Sequence, residues 1–373
     1  MAPKLFVASG IFPPELGGPA TYLAAVLPEL RALGWQPRVL TYGPPHSQDS
    51  PYPVTRITRA PYPLRQAKYA FEARKHLAWA DLVYAHTIDL PLWGFRDRPR
   101  VIKIVGDQAW ERCIRRRWIP SDLSIDEFQT YDGDWRARWQ KRSRSAQVAA
   151  MNAVIVPSQY LARMVTAWGV EPTKVHVIYN ALPPAPPPAQ TREALRAQLR
   201  WDDRPTLITV ARLQPWKGID HLIAVMRRLP DARLVVVGDG PDRARLQSLA
   251  EPLGDRVKFT GRLEPAQVHR LMRAADGLAL YSGYEGLSHT LLESLRLGTP
   301  VLASAVGGNP EIVRDGVNGL LVPYVDVAAL QRGIVELIDR RAEFAANSQA
   351  GLGRFRLETM ARKTDQLLRS LLP

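Results

Sequence analysis

Residues 206–237 read TLITVARLQPWKGIDHLIAVMRRLPDARLVVV. An apolar, β-branched run at Thr206–Val210 and another at Arg233–Val237 flank a helix-length segment. Two strands separated by that much chain pair in parallel through a crossover helix, because a hairpin needs only a short turn. The same alternation continues outward. Downstream it predicts strands at Val257–Phe259, Leu278–Tyr281, Val301–Ala303 and Leu320–Val322. Upstream it predicts Leu5–Ala8, Val39–Tyr42, Val54–Ile57, Leu82–Ala85, Val101–Val105, Val154–Val156 and Val175–Ile178. The expected fold class is therefore α/β, as two successive parallel-sheet domains.

The break between them is marked at residues 181–191, ALPPAPPPAQT, a proline-dense stretch that suits a semi-rigid linker. Between the first two strands, PATYLAAVLPELRALG carries Pro19 at a helix start, apolar Leu23, Val26, Leu27 and Leu30, and Gly34 as a stop. Pro28 lies inside that pattern and is expected to kink or shorten the helix. Ligands of parallel sheets bind outside the carboxyl ends of the strands, so the cleft between the domains is the default site.

A chain of 373 residues, 46% apolar and 23% charged, has the balance of an ordinary globular protein and excludes a disordered or fibrous one. The net charge of +14 is concentrated in residues 1–180, which hold 24 basic against 15 acidic side chains. There RQAKYAFEARKHLAW, ERCIRRRW and WRARWQKRSRS interleave cations with aromatic rings. Taken singly each reads as a solvated helix face; together they point to an anionic partner. Cys113 stands alone, so neither a disulfide framework nor a cysteine metal site is available. The first residues lack a secretory apolar region, and no run of ~20 apolar residues occurs, so a cytoplasmic location with at most peripheral membrane contact is expected.

Chemistry concentrates in YSGYEGLSHTLLESLRLGTP, residues 281–300. Leu287, Leu291, Leu292 and Leu295 predict a helix from about Leu287, with Glu285 before it and Glu293 about two turns on. At ~1.5 Å rise per residue their backbones lie up to ~12 Å apart, enough to grip both ends of an extended ligand. The helix start between them suits a phosphate. The competing reading makes Thr290 and Glu293 a capping box and Glu285 a surface carboxylate. Arg212 and Lys217, delivered by the strand Thr206–Val210, place two cations at the same sheet edge, where they can stabilise a leaving diphosphate. Gly238 and Gly240 follow the next strand, and Gly307 and Gly308 form a loop that a ligand can approach closely. In YDGDW, Asp132 and Asp134 make a D-x-D, read as turn or cap chemistry in preference to a metal site. Asp107, in VGDQAWE, is either an acceptor-side group or a turn aspartate.

As an ordered set, VARL-x3-KG, GDGP, FTGRL, AADGLALYS, EGLSHTLLE, GTPVLAS and GGNPEIV resemble the retaining glycosyltransferases of family 4. In the first half PPELGGPATY, LVYAH, VPSQYLARMV and IYNALP do so too. The resemblance implies the GT-B architecture, two Rossmann-like domains facing across a cleft. It places the acceptor-side domain at 1–182, with a terminal helix at about 355–373 packing back on it, and the nucleotide-sugar domain at 190–354. Glu293 resembles the carboxylate that grips ribose hydroxyls, and Glu285 the one that holds the transferred sugar. Arg212 and Lys217 match the diphosphate clamp, and His86 the histidine near the reacting sugar. Gly17, Gly18, Gly238, Ser288, His289, Thr290 and Leu291 fall at donor-binding positions, Asp107 and Tyr22 on the acceptor side. Ser288 stands where the family often has glycine, and Ala181 and Pro183 depart from its usual turn.

The implied activity is metal-independent hexosyl transfer with retention, from a nucleoside-diphosphate sugar to an acceptor hydroxyl of a glycan or lipid-linked glycan precursor. No cofactor is expected, since the nucleotide sugar is a substrate. An anionic membrane surface is an expected partner and nucleic acid is not. A GT-B sugar-nucleotide epimerase and a basic nucleic-acid-binding protein are the alternatives. The missing G-x-G-x-x-G with its ribose acid disfavours a dinucleotide oxidoreductase.

Overall fold

The computed structural model describes residues 2–15, 17–45, 50–92, 98–183 and 190–373. Its first sheet contains β1 (Lys4–Ala8), β2 (Gln36–Tyr42), β3 (Val54–Ile57), β4 (Leu82–Ala85), β5 (Arg100–Lys103), β6 (Ala153–Val156) and β7 (Val175–Val177). The helices between them are α1 (Gly18–Ala32), α2 (Tyr62–Trp79), α3 (Gln108–Arg115), α4 (Ile125–Thr130), α5 (Trp135–Ala149) and α6 (Gln159–Ala167). The order is β3-β2-β1-β4-β5-β6-β7, with every pairing parallel. Along β1 the side chains alternate between two cores. Leu5 and Val7 pack with α1 residues Leu23, Val26, Leu27 and Leu30, whereas Phe6 and Ala8 pack with α2 residues Tyr69, Ala73 and Leu77. Both faces are covered, which is why these strands read as unbroken apolar runs.

The second sheet contains β8 (Thr206–Val210), β9 (Arg233–Val237), β10 (Val257–Gly261), β11 (Gly277–Leu280), β12 (Val301–Ser304) and β13 (Gly319–Val322). Its helices are α7 (Arg192–Leu199), α8 (Ile219–Met226), α9 (Arg243–Ala250), α10 (Pro265–Ala274), α11 (His289–Arg296), α12 (Val327–Asp339) and α13 (Arg341–Ala346). The order β10-β9-β8-β11-β12-β13 is again all parallel. Two Rossmann-like units result, Met1–Pro183 with Arg354–Pro373, and Pro184–Gly353. Most of the expected proline linker, 184–189, lies outside the described residues.

The chain ends in α14 (Leu357–Ser370), which packs on α1 within the first unit, with Met360 and Leu368 in the core of Leu5 and Leu27. Trp35 Nε1 donates to Asp365 Oδ1 at 2.7 Å, and Arg369 Nη2 donates to Leu33 O at 2.7 Å. This packing corrects the expectation for Pro28, since α1 runs through it to Ala32. Proline forfeits one backbone hydrogen bond. The fully buried Leu27 and Leu30 on either side of it offset that loss. Gly34 does stop the helix: at φ 94° it lets its own N–H reach Arg31 O and the Trp35 N–H reach Leu30 O, the Schellman pattern.

Candidate active site

In the second sheet the chain order reverses between β8 and β11, the position where open parallel sheets bind ligands. The loops after β8, β11 and β12 are pressed together backbone to backbone. At Gly218, with φ 60°, a Cβ would lie 1.9 Å from Tyr281 O; at Gly307, with φ 59°, it would lie 2.0 Å from Glu285 O. Only glycine permits both approaches. The Gly283 N–H donates to Trp216 O at 2.7 Å, and the Gly308 N–H donates to Glu285 O at 2.9 Å.

These contacts set two side chains against each other. Lys217 Nζ donates to Glu285 Oε1 at 2.6 Å, and Ser282 Oγ donates to the same oxygen at 2.8 Å. Both partners of the ion pair are largely buried, with side-chain exposures of 18% and 13%. Arg212, by contrast, is exposed and makes no ion pair or hydrogen bond with the described residues. The structure thus joins Lys217 to Glu285 and leaves Arg212 open.

Ser288 ends the loop and caps α11, its Oγ accepting from the Leu291 N–H at 3.3 Å. The helix therefore starts at His289, two residues later than expected, and the Thr290–Glu293 capping box does not form because Ser288 already fills the cap. Leu291 is corrected as a donor contact: its side chain is fully buried and its N–H is taken by Ser288. His289 and Thr290 lie half-buried in the first turn, beside the positive end of the helix dipole. Glu293 follows about one turn further. Its carboxylate has no hydrogen-bond partner among the described residues, and burial pushes its pKa above the usual glutamate value, against the pull of Arg296. A carboxylate without a hydrogen bond is costly to bury.

Gly238 has a packing reason of its own, since a Cβ there would sit 1.9 Å from Ala211 O. It shapes the loop that carries Arg212.

In the first unit the order reverses between β1 and β4. His86, immediately after β4, donates its N–H to Ala8 O at 2.8 Å. Its ring lies 4.2 Å from that of Tyr84 and 5.5 Å from that of Tyr22. Burial, and then the nearby Lys103, hold its pKa well below the ordinary histidine value. Gly17 caps α1, and at Gly18 nothing lies within 4 Å of where a Cβ would project. No internal contact demands glycine there.

Two acceptor-side expectations are corrected. Tyr22 is 1% exposed and its hydroxyl is bonded to that of Tyr84 at 2.8 Å, which makes it a core residue. Asp107 is fully buried: it caps α3 through the N–H groups of Ala109 and Trp110, pairs with Arg144 and accepts from Gln129. No oxygen of Asp107 faces solvent. Asp134 caps α5 and pairs with Arg136, while Asp132 sits beside Arg138. Among the described residues no group of three or more His, Cys, Asp or Glu is placed to hold a metal ion. Sequence reasoning passed over Ser282, three residues before Glu285, and Lys103, a cation ending an apolar strand.

Residues 191–351 match the family described as Glycosyl transferases group 1, and residues 16–185 match Glycosyltransferase Family 4. The protein is a glycosyltransferase. This glycosyltransferase is 28% identical over 355 residues to the 2-deoxystreptamine glucosyltransferase of Streptomyces kanamyceticus, covering 86% of this chain and 90% of that one. Over 211 residues it is 36% identical to a GDP-mannose-dependent monoacylated alpha-(1-6)-phosphatidylinositol monomannoside mannosyltransferase of Corynebacterium glutamicum. That match covers 52% of this chain and 55% of the relative. The fold is similar to that of sucrose-phosphate synthase from Thermosynechococcus elongatus, with a TM-score of 0.80 at 23% identity over 99% of both chains. The architecture is of the GT-B type, and the enzyme transfers a sugar from a nucleoside-diphosphate sugar to an acceptor. Lys217, Glu285 and Glu293 all fall within the first family match, Gly17, Gly18 and His86 within the second.

Proposed function

We propose that the enzyme moves a hexosyl unit with retention, the second unit holding the donor and the first the acceptor. The observation that carries this reading is the convergence of Lys217, Ser282 and Glu285 beside the capped start of α11, with the unpartnered Glu293 beyond. Glu293 accepts the ribose hydroxyls and Glu285 those of the transferred sugar. The diphosphate falls to Arg212, Lys217 and the α11 dipole, which stabilise the negative charge that grows as the sugar leaves. No protein nucleophile is required: the departing phosphate oxygen takes the acceptor proton on the face from which it leaves, so the anomeric configuration is kept. Gly17, Gly18, Gly238, Ser288, His289 and Thr290 shape the donor loops, and His86 lies near the reacting sugar, where the acceptor hydroxyl arrives. With the diphosphate neutralised by cations of the chain, no divalent metal is needed. Proton NMR of the product tests the central claim: an α-donor gives an α-linkage, and a β-linked product overturns it.

The acceptor we infer is a glycan or lipid-linked glycan precursor met at the cytoplasmic, anionic face of a membrane. No helix of the described residues is long and apolar enough to cross a bilayer. Trp135 and Trp139 of α5 are 67% and 59% exposed, and on α2 so are Tyr62, Leu64 and Phe71, among the cations Lys68 and Arg74. Exposed rings among cations suit the headgroup depth.

A further inference from the structure

Lys103 is a buried cation that the proposed chemistry leaves unused. It ends β5 with 3% exposure, and its Nζ is buried with no hydrogen-bond partner among the described residues. What Nζ meets is the face of Tyr22, 3.8 Å from the ring centroid. The register of β4 on β5, with Ala85 beside Ile102, brings His86 level with Lys103 on the same side of the sheet. His86 is 4% exposed, and its Nε2 is likewise buried without a hydrogen bond among the described residues. Tyr22 of α1 is shared between them, in contact with the ammonium and with the imidazole ring.

The surroundings are otherwise neutral. From α1 comes Tyr22, from β4 Tyr84, whose hydroxyl is bonded to that of Tyr22, and from α14 Thr364, close to the Tyr22 hydroxyl. Among the described residues no carboxylate acts on either nitrogen group, and Lys103 is the charge that acts on His86. Packing does not explain such a lysine, because an apolar side chain of similar length would be buried there at lower cost.

We propose that Lys103 is a positioning residue acting through His86: the two groups, sharing the Tyr22 face, take up a single proton between them, on Lys103, so that the imidazole stays neutral. A neutral imidazole keeps one ring nitrogen able to accept a hydrogen bond from a substrate hydroxyl, whereas an imidazolium only donates. Burial pulls the pKa of both groups down, the Lys103 ammonium well below its ordinary value and the His86 imidazolium likewise, and the proton goes to the amine for two reasons. An alkylamine is intrinsically the stronger base, and only the ammonium lies on an aromatic face that attracts it. Once Lys103 is charged, a second charge against the same tyrosine in a desolvated site is strongly disfavoured. The catalytic use of this arrangement rests on the reading of His86 as an acceptor-side group; the proton sharing does not.

The test is an NMR titration of the His86 imidazole in the full-length enzyme, its resonance identified by its loss in His86→Gln. In the wild type the ring stays neutral well below the ordinary midpoint near 6.5. Lys103→Met removes the competing charge and raises the His86 midpoint by about one pH unit, while Lys103→Arg, which keeps the charge, leaves it near the wild-type value. Lys103→Gln is a second neutral variant should methionine perturb folding. In the neutral variants the acid limb of kcat/KM for the acceptor moves up in step with the midpoint. A His86 titration unchanged in both neutral variants overturns the proposal. A midpoint that moves without the acid limb upholds the shared proton and overturns the acceptor role of His86.

Discussion

Lys217 and Glu285, 68 residues apart in the chain, form an ion pair of 2.6 Å at the point where the second sheet reverses its strand order. Neither residue is idle before the donor arrives. Glu285 orients the ammonium and Lys217 the carboxylate, with Ser282 fixing the shared oxygen. A rigid pair of this kind meets a charged ligand with little reorganisation.

Lys217→Ala and Glu285→Ala are each expected to reduce kcat/KM by about 10²-fold or more, the scale of lost charge-stabilising contacts. Because they act as one unit, the double variant loses much less than the product of the single losses. Steady-state kinetics of the three variants checks this, and a folded Lys217→Ala enzyme with normal kinetics contradicts the donor clamp.

Glu293 illustrates a site that is maintained against stability. Burial raises its carboxyl pKa above the unfolded value, so the folded state binds more protons between those two values, and its contribution to stability is lost as pH rises through that window. At pH 7 the ionised, unpartnered group is a net cost. Glu293→Gln should therefore raise the Tm of the ligand-free enzyme by about 1–4 °C, a gain that fades below about pH 4. The same change should weaken donor binding by about tenfold or more in calorimetry. An unchanged donor affinity removes Glu293 from the ribose role.

Activity is expected to survive EDTA. Asp132→Ala should be silent, and Asp134→Ala should lower stability modestly through the lost α5 cap without a change in kcat. Activity abolished by EDTA and restored only by Mn²⁺ or Mg²⁺ turns the assignment of the diphosphate away from Arg212 and Lys217.

Vesicle binding separates true surface charge from cations used internally. Lys141 donates to the carbonyls of Phe128, Gln129 and Tyr131, at 3.1, 3.1 and 2.5 Å, and so closes the end of α4; Arg144 is buried against Asp107. Lys68, Arg74 and Arg142 are exposed and make no ion pair or hydrogen bond with the described residues. Neutralising those three should weaken binding to anionic vesicles, at about 1 kcal/mol each, with donor affinity unaffected. Binding should also fall as salt rises. Equal partitioning onto neutral and anionic vesicles points instead to a soluble acceptor.

The thirteen strands of the described residues were legible from apolar runs bounded by helix-length segments, with shifts at the ends such as β2 starting at Gln36 and β5 stopping at Lys103. Glu285 and Glu293 were legible because both lie within a few residues of one helix start. Pro28 misled, because a local breaking rule carries no information about the side chains on either side that hold α1 straight. Asp107 was ambiguous for the same reason: its partner Arg144 lies 37 residues away, on a helix whose packing no local pattern reveals.

By itself the sequence determined what depends on near neighbours: the periods that make strands and helices, the proline-rich break, and the glycines that permit positive φ. Tertiary structure alone decided which charges meet. Sheet order brings β8 beside β11 and β4 beside β5, and so it pairs Lys217 with Glu285, sets Lys103 beside His86, and leaves the Glu293 carboxylate, within the pull of Arg296, without a hydrogen bond among the described residues. Electrostatic interaction falls with distance and grows with desolvation, and both are properties of position in space rather than of position along the chain.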